Sequence, residues 1–156
     1  GRLHAIVGHS FGCLASLYAN KNSSACDALV CIAPSKSELL FDKFVSGLGL
    51  QPNVVEKLRH RLEERYTKLG LSIWTDFSLA ALRRDFIGPI LHVYDDSDPQ
   101  VTVAESLEVG GALRPERMLR TTGLGHHRLM SSKEVFGEVI QFLSGIDDAE
   151  ADLVAA

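Results

Sequence analysis

Gly8-His9-Ser10-Phe11-Gly12 is a Gly-x-Ser-x-Gly sequence. The chemistry it suggests is nucleophilic attack by the Ser10 hydroxyl, which near neutral pH needs a base to take its proton. A five-residue pattern recurs by chance, so its weight comes from its setting. Leu3-His4-Ala5-Ile6-Val7 before it reads as a strand. Phe11 to Asn20, rich in Ala, Leu, Ser and Gly, reads as a buried helix. A turn this sharp strains the serine backbone, and glycines at 8 and 12 are expected to relieve collisions around it. The helix starting at Phe11 aims N–H groups where an oxyanion would form, which makes the Phe11 N–H the expected oxyanion donor.

Six histidines are candidates for the base. His60 lies on a charged helical face, and His4 and His92 fall within strands, where a satisfied structural role is expected. His9 sits inside the turn, too constrained to reach back to Ser10, and is expected to meet substrate instead. His126 and His127 remain, in Thr121-Thr122-Gly123-Leu124-Gly125-His126-His127, after a strand and behind two glycines. That is the edge of a parallel sheet where sites form. A carboxylate should orient the base. Asp95, Asp96 and Asp98 all follow the strand Ile90 to Tyr94, and residue types alone leave all three open, as they leave both histidines open.

The elements that must hold these groups alternate. Strand 3–7, helix 11–20 and strand 28–32 make a βαβ unit and hence a parallel sheet. Pro34 closes the second strand. Residues 52–69 then carry Val54, Leu58, Leu62 and Tyr66 at four-residue steps, opposite a face of Glu56, Lys57, Arg59, Arg61, Glu63, Glu64 and Arg65. This predicts an amphipathic helix that starts at Pro52 and stops at Gly70. Helix 76–85, strand 90–94, a helix capped by Thr102 with Glu105, strand 116–121 and a helix capped by Ser131 with Glu134 complete the pattern. The last helix is expected to bury Val135, Phe136, Val139, Ile140 and Leu143. Residues 147–156 are read as an acidic, frayed tail.

The order Ser, Asp, His and the strand–loop placements resemble the α/β-hydrolase superfamily. Asp98-Pro99-Gln100-Val101 is similar to that family's acid loop, and Gly123-Leu124-Gly125-His126 to its histidine loop. The resemblance runs from residue 1 to about 146. It implies a partial α/β-hydrolase fold: a mostly parallel sheet with flanking helices and a helical cap insertion at 34–75. It implies Asp98 as the acid and His126 as the base of a Ser10–His126–Asp98 triad. Val54, Leu58 and Leu62 are then expected to face inward from the cap, some of them lining an acyl pocket. The implied activity is cleavage of ester, thioester or amide bonds through an acyl-enzyme, with no metal or organic cofactor. Alternatives are a peptidase resembling proline iminopeptidases or serine aminopeptidases, and an inactive hydrolase fragment. In the superfamily a second oxyanion donor precedes the nucleophile strand. The strand at residue 3 therefore suggests a chain shortened at its N-terminus.

Composition sets limits. With 16 basic against 20 acidic residues the net charge is −4, which offers no field for nucleic acid or anionic lipid. The expected partner is a small acyl substrate. No apolar run approaches the roughly 20 residues of a membrane span. Cys13, Cys26 and Cys31 suit neither a zinc site nor paired disulfides, and read as buried thiols of a cytoplasmic protein.

Overall fold

A computed structural model describes residues 3–21 and 23–155, with residues 147–155 described by backbone alone. Four strands, β1 (Leu3–His9), β2 (Cys26–Ile32), β3 (Ile90–Asp95) and β4 (Arg117–Thr121), form one sheet in the order β1-β2-β3-β4. Every pairing is parallel: Val7 faces Val30, Cys31 faces His92, and Val93 faces Leu119. Parallel strands need crossovers, and helices supply them. They are α1 (Phe11–Asn20) after β1, the run α2 (Ser37–Gly47), α3 (Pro52–Thr67), α4 (Ile73–Asp76) and α5 (Leu79–Arg84) after β2, and α6 (Val103–Leu113) after β3. Beyond β4 lie the single turn α7 (Gly125–Arg128) and the long α8 (Lys133–Ala155). Among the described residues no helix is long and apolar enough to cross a membrane.

The central strands are apolar throughout because both sheet faces are covered. On one face Leu29, Cys31 and Ile90 pack with Cys13, Leu14 and Leu17 of α1, Leu82 of α5 and Val109 of α6. On the other, Ala28, Val30, Leu91 and Val93 pack with Leu129 and with Val135 and Phe142 of α8. Each large aliphatic side chain buried this way contributes about 1.5–3 kcal/mol relative to exposure. All three cysteines are buried. Cys13 donates to the Gly8 carbonyl at 3.2 Å, and burial pushes its thiol pKa up, so it acts as packing.

Four expectations are corrected. The helix expected over 76–85 is the shorter α5, which starts only after α4 ends at Asp76, because the Ser78 hydroxyl accepts the Ala81 N–H at 3.2 Å and caps it. The Thr102–Glu105 capping box is present, but α8 is entered through Ser132, whose hydroxyl faces the Val135 N–H at 3.5 Å, and Ser131 bonds back to Arg128. The buried stripe of α8 is Val135, Val139, Phe142, Leu143 and Ile146, steps that keep to one face of a 3.6-residue repeat. Phe136 and Ile140 fall about 100° beside that stripe and are 55% and 64% exposed. The α8 backbone is helical to Ala155 and includes the acidic segment 147–155.

The fourth correction concerns α3, the helix expected to face inward from a cap, which buries no residue completely. Its anchors begin past its first turn, where Arg59 donates to Asp42 at 2.7 Å and Glu63 accepts from the Trp74 indole at 2.7 Å. Arg59 also lies over both Phe41 and Trp74, at 4.7 and 4.8 Å, a cation–π clasp joining α2, α3 and α4. Val54 precedes these anchors and is 44% exposed, so it does not face inward. Leu58 is half-buried.

Candidate active site

Ser10 occupies the turn between β1 and α1 with φ 54° and ψ −119°, a backbone that side-chain-bearing residues rarely adopt. Its N–H donates to the Ile32 carbonyl at 2.9 Å, and its own carbonyl accepts from Cys13 N–H at 3.1 Å, which pins the turn. Gly8 is required: a Cβ there would lie 2.8 Å from the backbone of Gly12 and Cys13. Gly12 is not, since a Cβ there would meet nothing within 4 Å, so the expected relief of crowding falls on Gly8 alone. The Phe11 N–H is the first of α1 and has no acceptor among the described residues.

Asp98 and His126 form a buried pair. His126 Nδ1 lies 2.7 Å from Asp98 Oδ2, with both side chains almost fully shielded from solvent. Oδ1 of the same carboxylate accepts the N–H of Gln100 at 2.7 Å and of Val101 at 2.9 Å. The backbone thus fixes one oxygen and leaves the other to the imidazole. Among the described residues Ser10 Oγ makes no hydrogen bond to His126, and such contacts are often loose before substrate binds.

The remaining carboxylates of this loop are occupied differently. Asp95 accepts from Thr121 Oγ1 at 2.7 Å, Gly125 N–H at 2.9 Å, Leu124 N–H at 3.0 Å and Ser97 N–H at 2.9 Å. Burial alone would raise its pKa, but these donors hold it below the usual carboxylate value. Asp96 is gripped by the Arg120 guanidinium through contacts of 2.8 to 3.0 Å, which lowers its pKa as well. Gly125 sits at φ 66°, so the turn that delivers His126 favours glycine.

The other histidines separate cleanly. His9 donates Nε2–H to the His126 carbonyl at 3.0 Å, so the residue expected to contact substrate is engaged by the histidine loop. His127 is exposed and faces Gln100, and His60 is exposed beside Glu64. His92 is fully buried but not satisfied: neither ring nitrogen has a hydrogen-bond partner. Among the described residues no cluster of His, Cys, Asp or Glu could hold a metal ion.

Beside the elbow runs an apolar groove of about 630 Å³ between α1 and the helices of 37–77. Phe11, Leu14 and Tyr18 form its floor, and Phe41, Phe44, Leu62, Tyr66, Trp74 and Phe77 its walls, with no charged side chain in the lining. Phe77 is held between Tyr18 and Tyr66, ring centroids 5.1 and 5.3 Å away. Of the three cap residues expected here, only Leu62 lines the groove; Val54 and Leu58 do not. The aromatics were missed, although their crowding into residues 41–77 was visible in the sequence.

No protein-family model matches the sequence, and no curated protein does. Solved structures do match in fold. The chain superposes on the acylaminoacyl peptidase of Pyrococcus horikoshii with a TM-score of 0.60 at 13% identity, covering 92% of this chain and 23% of that one. It superposes on the α/β hydrolase GrgF of a Penicillium species at 0.54 and 16% identity, covering 89% and 62%. An esterase of Pyrococcus furiosus gives 0.52 at 14% identity, covering 92% and 51%. The chain therefore has the α/β-hydrolase fold in part, spanning less than two thirds of each of these proteins.

Proposed function

We propose that the protein is a serine hydrolase that cleaves carboxylic esters of bulky, uncharged acyl groups. The observation that carries this reading is the buried Asp98–His126 pair at 2.7 Å, set on the same sheet edge as the positive-φ serine. Asp98 fixes His126 Nδ1 as a donor, which leaves Nε2 free to accept the Ser10 proton. Ser10 Oγ then bonds to the ester carbonyl carbon, and the Phe11 N–H faces the developing oxyanion. Collapse expels the alcohol, which takes the proton from His126 and leaves an acyl-Ser10 ester. Water attacks that ester, gives its proton to His126, and the acid departs as Ser10 is regenerated. The reaction uses no cofactor.

The groove supports ester over aminopeptidase cleavage. An aminopeptidase must bind a substrate ammonium, and no carboxylate lines this groove. Residues 34–75 act as the cap, and Phe11, Leu62 and Trp74 are assigned to the acyl chain. Steady-state hydrolysis of a p-nitrophenyl ester by the Ser10→Ala protein tests this. Loss of several orders of magnitude in kcat with unchanged melting is expected. Retained turnover removes the acyl-enzyme.

A further inference from the structure

We propose that His9 is a positioning residue, whose Nε2–H, donated to the His126 carbonyl, holds the base over the nucleophile elbow. This rests on the triad reading above. The two partners are 117 positions apart in sequence and 3.0 Å apart in space. A carbonyl oxygen can only accept, so the hydrogen must sit on Nε2 of His9, which defines its tautomer.

The need for such a tie follows from how the histidine loop is held elsewhere. Gly123, Leu124 and Gly125 all donate from their backbones into the acid loop, to Ser97 and Asp95. His126 itself binds Asp98. The base is thus registered firmly against the acid. Among the described residues, the His9 bond is the only hydrogen bond between the elbow 8–12 and the loop 122–128. Distance from nucleophile to base therefore depends on His9, while distance from base to acid does not.

The imidazole also sets the charge around the base. Its ring centroid lies 4.7 Å from that of His126 and 6.2 Å from that of His127, with the Asp98 carboxylate facing the same space. Burial lowers the His9 pKa, and the two histidines oppose its protonation, against the opposite pull of its own hydrogen bond and of Asp98. Neutral His9 leaves Asp98 free to stabilise the imidazolium that forms as Ser10 loses its proton. Protonated His9 would place a second cation beside that imidazolium and weaken His126 as a base.

The test compares His9→Phe, His9→Gln and His9→Asn on a short p-nitrophenyl ester, with Ser10→Ala alongside. His9→Phe keeps the ring but loses the donor, and His9→Asn is too short to reach. Both should lower kcat roughly ten- to a hundredfold with KM nearly unchanged, the cost of a base displaced by about 1 Å. His9→Gln should recover most of kcat and also simplify the acid limb of the pH profile to one ionisation. Equal losses in folded Gln and Phe variants, or none in Phe, would overturn the proposal. Activity surviving in Ser10→Ala would instead overturn the triad beneath it.

Discussion

Asp95 and Gly125 are joined across two loops, the carboxylate accepting the glycine N–H at 2.9 Å immediately before His126 enters its helix. With Thr121 and Leu124 on its other oxygen, Asp95 ties the end of β3 to the end of β4. Asp98, three residues on, keeps one oxygen for His126. Two acids at the end of β3 thus divide the work: Asp95 builds the turn and Asp98 holds the His126 imidazole.

That division predicts distinct phenotypes. Asp95→Asn should lower stability by roughly 2–3 kcal/mol, since an amide nitrogen would face backbone donors that need an acceptor. The contribution has a pH sign. The folded pKa of Asp95 is depressed, so its stabilisation is complete above the unfolded value of 3.8 and is lost as pH falls through the folded one. Asp98→Asn should leave melting much less affected while reducing kcat severely. Urea denaturation of both variants beside their turnover separates the two roles.

His92 supplies a second pH dependence, at higher pH. Burial lowers its pKa from 6.5 to about 4. The unfolded chain therefore binds the proton first, and stability is full above pH 6.5 and falls between 6.5 and about 4. The loss over that window is about 3 kcal/mol. His92→Leu, which removes two unpaired ring nitrogens from the core, should flatten it. Unfolding free energies across this range check the prediction, and an unchanged slope in the variant would remove His92 as its source.

How much of this was legible in the sequence differs by region. The elbow was readable because strand, glycine, serine and helix are local signals. Residue types alone did not choose Asp98 over Asp95, and only the acid-loop resemblance did, because the choice depends on which carboxylate meets backbone donors from a loop some thirty residues away. The α8 stripe was misphased because Phe136 and Ile140 are as apolar as the neighbours that face the sheet. Cap periodicity likewise could not reveal that α3 is anchored only from Arg59 onward, which leaves Val54 outside. His9 was read as a substrate contact because its partner is a backbone carbonyl, which no residue type announces.

The cap groove predicts selectivity. Leu62→Arg places a cation among aromatic walls and should lower kcat/KM for long-chain esters at least about tenfold relative to acetate. Val54→Arg, outside the groove, should leave the chain-length profile unchanged. A profile altered by Val54→Arg and not by Leu62→Arg would move the acyl site elsewhere.

The central claim is that Ser10 is made nucleophilic by His126. Mass spectrometry of protein treated with a fluorophosphonate tests it most directly, because the reagent requires the activated serine but little of the acyl site. A single adduct on the peptide carrying Ser10 is predicted, forming about 10³-fold or more slowly in His126→Ala. A folded protein with no adduct at Ser10, or with labelling equally fast in His126→Ala, would contradict the account.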